Sequence, residues 1–369
     1  MKIMFLVSSL EFGGAERVAT VLCNAFSEQH QVSLVATYGG LDPCVFELSR
    51  SINLHYLAND YPCISGQQKG SLARLMKLRY LMKTERPDVV ISFLPNVNVM
   101  AVLANVGFNI PLIICERSDP EHFPMSGFWK VLCKYSYQFA DMLTVQTSAV
   151  AAKVGRLFYL PTLVEVIPNP IPVGLLQVSS LQPTAPHILC LGRLTASKQF
   201  EQVLQAFATL SPTYPEWELH LIGDGPARQE LEQLAMQLGM SAKIRFFGGL
   251  EHPYPQVAAC DIFAMTSKFE GFPNALLEAL VLGRPAVVYD CPSGPLEMTD
   301  HGRVARLVPL NDLRQFTGAL AELMADAVMR QQLGDQAKTF VTNKYSLPAV
   351  IEQWYCLIEK AKFHRHSRG

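Results

Sequence analysis

Arg193 and Lys198 stand five residues apart in Gly192-Arg193-Leu194-Thr195-Ala196-Ser197-Lys198, directly after an apolar run. At a strand-to-helix turn both side chains can lean over one crevice, where a guanidinium fork and an ammonium point charge would together neutralise a diphosphate. Two solvated charges at a helix start would read the same way. Farther along, Phe269-Glu270-Gly271-Phe272-Pro273-Asn274-Ala275-Leu276-Leu277-Glu278 places two carboxylates eight residues apart around a Pro-Asn helix start. Glu270 then sits in the loop and Glu278 about one turn inside the helix. A carboxylate in such a crevice suits the paired hydroxyls of a ribose or hexose, and the amides of Gly271 through Ala275 suit a phosphate. The plainer reading is a pair of acids complementing the helix dipole. A glycosidase arrangement of nucleophile and acid fits poorly, because Glu278 is better placed to hold a ligand group than to face Glu270. A third cluster, Gly13-Gly14-Ala15-Glu16-Arg17, opens a helix after the first apolar run. Its glycines let backbone N–H groups approach an anion, or simply make a tight turn. It lacks the G-x-G-x-x-G spacing of a dinucleotide site.

The elements that must position these residues alternate from end to end. Short runs such as Ile3–Val7, Val89–Phe93, Leu112–Cys115 and Ile262–Met265 are uniformly apolar, as strands of a parallel sheet covered on both faces must be. Helix-length patterns fall between them, including Ala15–Ser27, Ser71–Glu85, Trp129–Ala140 and Asn274–Leu282. The rhythm breaks at residues 168–186, with prolines at 168, 170, 172, 183 and 186, and then restarts. The pattern predicts two doubly wound α/β halves: residues 1–170, a connection over 171–186, residues 187–345, and a last helix over 346–369 packing back towards the first half. Ligands of such sheets sit beyond the carboxyl ends of the strands, where strand order reverses. Gly223-Asp224-Gly225-Pro226 and Phe247-Gly248-Gly249 are small-residue turns on that rim, either open to a flat base or sugar or simply turns.

Composition narrows the class. Of 369 residues 49% are hydrophobic, which supplies a large core, and 31 basic against 32 acidic residues give a net charge of -1. That balance argues against a nucleic-acid partner. The longest apolar runs fall far short of the ~20 residues of a membrane span, and the N-terminal run reads better as a buried strand than as a leader. Nine cysteines, none in C-x-x-C spacing, read as small buried hydrophobes of a reducing, cytoplasmic compartment.

Together and in order, Gly13-Gly14-Ala15-Glu16, Pro168-Asn169-Pro170, Gly192-Arg193-Leu194 with Lys198, Ile222-Gly223-Asp224-Gly225-Pro226, Phe247-Gly248 and Glu270-Gly271-Phe272-Pro273-Asn274 with Glu278 resemble glycosyltransferase family 4. Cys291-Pro292-Ser293-Gly294-Pro295 is similar to bacterial members that extend polyprenyl-diphosphate-linked glycans. The resemblance implies the GT-B fold of two facing Rossmann-like domains with a cleft between them. It also implies transfer of a hexose-type sugar, with retention, from a nucleotide diphosphate to an acceptor hydroxyl. By that likeness Arg193 and Lys198 hold the departing diphosphate, Glu278 the ribose, Glu270 the sugar hydroxyls, and Phe272, Pro273, Asn274 and Ala275 the sugar and phosphate. Gly271 and Gly223 would line the donor, and Gly14 would reach its diphosphate. UDP is the commonest donor nucleotide of the likened group.

No D-x-D occurs in the chain, so metal-independent transfer without a cofactor is expected. Where many members carry a histidine near the transferred sugar, this chain has Glu116-Arg117, with His122 later; these three are the acceptor-side candidates, and a structural role for Glu116-Arg117 is the alternative. The segment Lys69–Arg86 carries Arg74, Lys77, Arg79 and Lys83 among leucines and methionines. It reads either as a membrane-surface helix on the cytoplasmic face of the inner membrane or as a plain sheet-covering helix. Alternative classes are a nucleotide-sugar epimerase of the same architecture and a non-catalytic nucleotide-sugar-binding protein.

Overall fold

The computed structural model describes residues 1–10, 13–38, 46–58, 70–117, 121, 126–158, 164–179, 181 and 185–368. These form two compact units, Met1–Pro170 with Pro348–Gly369, and Ile171–Leu347.

The first unit is built on seven parallel strands: β1 (Lys2–Val7), β2 (Gln31–Ala36), β3 (Asn53–Tyr56), β4 (Val89–Phe93), β5 (Leu112–Cys115), β6 (Met142–Val145) and β7 (Val164–Val166). Their order is β3-β2-β1-β4-β5-β6-β7, so the direction of winding reverses between β1 and β4. Alternate residues of each buried strand feed two cores. Met4, Leu6, Val90 and Ile114 face α2 (Ser71–Glu85), α3 (Pro95–Asn105), α4 (Gly127–Ser136) and α5 (Ser148–Phe158). Ile3, Phe5, Ile91 and Phe93 face α1 (Gly14–Ser27) and the C-terminal helix Leu347–Arg368. That last helix presents Val350, Trp354, Leu357, Ile358 and Ala361, one face of a 3.6-residue period, all buried.

The second unit repeats the plan with six parallel strands in the order β10-β9-β8-β11-β12-β13. These are β8 (His187–Leu191), β9 (Glu218–Ile222), β10 (Ile244–Gly248), β11 (Ile262–Met265), β12 (Ala286–Asp290) and β13 (Arg306–Pro309). Here winding reverses between β8 and β11. Helices α6 (Phe200–Leu210), α7 (Arg228–Gln237), α8 (Tyr254–Ala259), α9 (Asn274–Val281), α10 (Pro295–Met298), α11 (Leu313–Ala325) and α12 (Ala327–Tyr345) cover its faces, and the C-terminal helix is α13. Within the proline-rich stretch read as a connection, Ile171 and Leu175 are buried in this unit's core, and the Ile171 N–H donates to the Tyr345 carbonyl at 2.8 Å.

One expectation needs correcting. Six cysteines (23, 115, 133, 190, 260 and 291) are buried, but Cys356 is exposed, because its place on α13 falls outside the buried stripe. Cys44 and Cys63 lie outside the described residues. No helix among the described residues is long and apolar enough to cross a membrane.

Candidate functional site

The loops that follow β8 and β11 leave neighbouring strands at the reversal point of the second sheet, which is where such folds hold ligands. Three bonds fasten them together. Thr266 Oγ1 donates to the carbonyls of Lys198 and Gln199 at 3.0 and 2.9 Å, and the Lys268 N–H donates to the Ser197 carbonyl at 2.8 Å. The result brings together side chains 72 residues apart: Lys198 Nζ lies 2.6 Å from Glu270 Oε1. The Ser267 hydroxyl donates to that same oxygen, also at 2.6 Å. With 26% of the Lys198 side chain and 12% of Glu270 exposed, the pair is partly open to solvent. Thr266 and Ser267 escaped the motif reading, although Ser267 stands only three residues before Glu270.

The remaining candidates fall into place around this pair. Arg193 starts the same loop and is exposed, with no ion pair to another described residue. Gly223 owes its glycine to packing: at φ +140° a Cβ would stand 1.9 Å from the Gly192 carbonyl oxygen. The Gly192 N–H donates to the Ile222 carbonyl and the Leu194 N–H to that of Asp224, so the β9 turn braces the Lys198 loop. Gly294 plays a like part, its Cβ position lying 2.4 Å from Pro273 Cδ at φ +116°. The Glu270 N–H reaches the Pro292 carbonyl at 3.4 Å, which ties in the loop after β12.

Helix α9 begins at Asn274 without a side-chain cap. The amide set is smaller than the sequence suggests, since Pro273 has no N–H and Asn274 donates its own to the Phe272 carbonyl at 2.9 Å. Phe272 itself is buried, edge-on to Tyr345 at 5.9 Å between centroids. Ala275 is half-buried in the first turn, Gly271 precedes it in the loop, and Glu278 is buried on the second turn.

In the first unit, α1 starts at Gly14, which is exposed, with Gly13 extended before it. The Glu16 carboxylate folds back over Gly13, 2.0 Å from where a Cβ would be. This helix start therefore carries an anion of its own. At the end of β5, Glu116 is fully buried and accepts from the Tyr137 hydroxyl, while its Oε2 has no partner. Burial pushes its carboxyl up to about 7, against the lowering effect of the Tyr137 and Asn98 hydrogen bonds. The Arg117 guanidinium lies over the rings of Phe93 and Trp354 at 4.8 and 5.7 Å and donates to Asn169 Oδ1 at 3.1 Å. Its Nε and Nη2 find no partner, and burial lowers its pKa. His122 lies outside the described residues.

Of the basic residues on α2, Lys77 donates to the Leu57 carbonyl, Arg79 to those of Ala104 and Val106, and Arg74 lies 4.7 Å over the Tyr38 ring. Only Lys83 of the four is exposed. Lys69 lies outside the described residues.

Two family descriptions match in tandem: "Glycosyltransferase Family 4" over residues 12–175 and "Glycosyl transferases group 1" over residues 176–340. The chain is 27% identical, over 98% of its length and 99% of the relative's, to a Campylobacter jejuni enzyme. That enzyme is named GalNAc-alpha-(1->4)-GalNAc-alpha-(1->3)-diNAcBac-PP-undecaprenol alpha-1,4-N-acetyl-D-galactosaminyltransferase. A second C. jejuni relative, 26% identical over 92% of this chain and 94% of its own, is named N-acetylgalactosamine-N,N'-diacetylbacillosaminyl-diphospho-undecaprenol 4-alpha-N-acetylgalactosaminyltransferase. Among solved structures, Anabaena HepE in complex with UDP superposes with a TM-score of 0.78 at 19% identity, covering 97% of this chain and 100% of that one. That likeness is one of fold.

Proposed function

The chain belongs to the glycosyltransferases with a family 4 first half and a group 1 second half on the GT-B fold, and from that premise we propose a retaining transfer of a hexose-type sugar from UDP to a polyprenyl-diphosphate-linked glycan during assembly of a bacterial surface polysaccharide. The observation that carries the donor side is the Lys198–Glu270 pair, held by two loops at the reversal point of the second sheet. As the sugar–phosphate bond breaks, negative charge builds on the diphosphate. Lys198, with Arg193 free to swing beside it, is a cation already in place for that charge, which is the economical way to lower such a barrier. Glu270 accepts hydrogen bonds from sugar hydroxyls, and Glu278 serves the ribose. Gly223, Gly271 and the α9 start keep the backbone close to the ligand.

With cations supplying the counter-charge, the reaction runs without a metal ion. UDP as the nucleotide is supported by the complex formed by HepE, and the lipid-linked acceptor by the names of both C. jejuni relatives. Both C. jejuni relatives are named as transferases, which favours transfer over epimerisation. Glu116 and Arg117, both buried, are given no contact with the acceptor in this reading.

The decisive experiment is a thermal-shift screen against UDP- and GDP-sugars, followed by transfer of the best one to an undecaprenyl-diphosphate glycan in EDTA. A UDP-sugar at 100 times its Kd should add about 2.7 kcal/mol, and EDTA should leave the rate unchanged. Restoration by magnesium of a rate lost in EDTA would overturn the metal-free reading.

A further inference from the structure

Phe272 belongs to the donor loop by sequence, yet its side chain is used inside the protein. It is 7% exposed and lies in one core of the second unit with Leu276, Met298, Val341 and Tyr345. Its ring stands edge-on to that of Tyr345, with centroids 5.9 Å apart and planes at 75°. In that arrangement the positive rim of one ring meets the negative face of the other.

Tyr345 is the last residue of α12 and is 3% exposed, so its ring is out of a ligand's reach. Its own place is well fixed. The carbonyl accepts from the Ile171 N–H at 2.8 Å, and Lys344 Nζ lies 5.4 Å from the ring centroid. Burial, and after it the nearby Glu297 and Asp300 carboxylates, hold its phenol well above the ordinary value, which sets that end of the ring on the α10 side.

The segment from Thr266 to Asn274 is anchored at both ends. On the β11 side, the Thr266 hydroxyl and the Lys268 N–H are bonded to the carbonyls of Ser197, Lys198 and Gln199. On the α9 side, Pro273 packs on Gly294 and Phe272 is seated on Tyr345. Glu270 and Gly271 lie between these anchors. Gly271 has no side chain to pack and the widest backbone freedom of any residue type, so the stance of Glu270 depends on the seat of Phe272. The Glu270 N–H adds only a long bond, 3.4 Å to the Pro292 carbonyl.

We propose that Tyr345 is a positioning residue for the donor: its ring seats Phe272 and thereby holds the Glu270–Asn274 loop in the shape that accepts the sugar. This rests on the UDP-sugar reading above. A loop released from the seat would populate its binding shape only part of the time, and apparent affinity falls by that fraction. An edge-to-face ring pair shifts an equilibrium by roughly two- to tenfold.

The test compares Tyr345→Leu with Tyr345→Phe in the whole chain. Hydrogen exchange of the peptide over 267–275 is read without ligand, and calorimetry gives the Kd of UDP, UDP-glucose, UDP-galactose and UDP-N-acetylgalactosamine. Tyr345→Leu should speed exchange in that peptide about fivefold, leave β8 and β9 unchanged, and weaken the bound UDP-sugar about fivefold. Tyr345→Phe, which keeps the ring, should recover both. Phe272→Leu should reproduce the effect, and the double variant should be no worse than either single one, since each ring acts through the other. The proposal is overturned if Tyr345→Leu and Phe272→Leu lower Tm while loop exchange and sugar affinity hold, which is plain core packing, or if Tyr345→Phe recovers neither. Faster loop exchange in a protein whose wild type binds neither UDP nor any of the three sugars would support the seat and overturn the donor reading alone.

Discussion

The second unit keeps its charged pair, Lys198 and Glu270, in loops at the sheet's reversal point, mutually bonded and partly open. The first unit places Glu116 and Arg117 just after β5, both buried, each with polar atoms that find no partner. Similar residue types at the same end of similar sheets thus sit in opposite dielectric surroundings. An open ion pair contributes little to stability and can exchange its partner for a ligand at small cost. A buried carboxyl with only neutral donors holds its proton to higher pH instead, and a buried guanidinium keeps its charge by lying over aromatic faces. Access, more than residue type, separates a group poised to bind from a group that organises the fold.

The largest effect that would sharpen this contrast is on the open side. Lys198→Ala leaves Glu270 with Ser267 alone and removes the cation proposed to face the diphosphate. Loss of one preorganised electrostatic partner costs about 10²–10³ in rate, so kcat/KM should fall by that much. Because the pair is partly solvated, Tm should move by no more than that of an exposed ion pair, under ~1 kcal/mol. Steady-state kinetics beside calorimetry checks both halves. A variant that loses Tm but keeps its kcat/KM would make the second pair as structural as the first.

On the closed side the expected effect is smaller and appears in stability. The Glu116 carboxyl titrates at about 7, above its ordinary 4.5, because burial disfavours the charge. Between those values the folded chain holds a proton the unfolded chain has released. Stability therefore falls as pH rises through that window, and the full penalty, up to about 3 kcal/mol, is present above it. Glu116→Gln keeps an uncharged acceptor for Tyr137. It should match wild type near pH 4.5 and exceed it by several degrees in Tm at pH 8. If it is no more stable at pH 8 and has lost transfer activity, Glu116 is an ionised acceptor-binding group and the contrast between the units fails.

What could be read from the chain follows the same division. Strands β4 and β11 and helix α2 stand at the residues that their patterns predict, because a uniformly apolar run bounded by polar residues leaves a parallel sheet little choice. Helices α8 and α10, of six and four residues, are too short to carry a period, and α4 gives way to a 3₁₀ turn at Tyr137–Phe139 where one continuous helix is expected. Lys198 and Glu270 were legible as separate motifs 72 residues apart, but their bond was not, since it depends on β8 and β11 being neighbours. The glycine at 223 is legible as a turn, while its cause, the Gly192 carbonyl packed against it, belongs to three dimensions.

The smallest effect is the most discriminating about how the open pair works. Ser267 donates to the same Glu270 oxygen that Lys198 approaches, so two donors fix one carboxylate oxygen and leave the other to turn towards a ligand. A hydrogen bond to a charged group is worth about 1.5–3 kcal/mol, but partial exposure and the remaining lysine reduce what is lost here to about 1 kcal/mol. Ser267→Ala should therefore raise the donor KM about fivefold with kcat nearly unchanged, since the hydroxyl orients Glu270 before the bond breaks. Ser267→Thr, which retains the hydroxyl, should recover most of it. If kcat falls while KM holds, the hydroxyl acts on the departing diphosphate itself, and the oxygen it shares with Lys198 is then a relay between the two residues rather than a fixed support for the sugar.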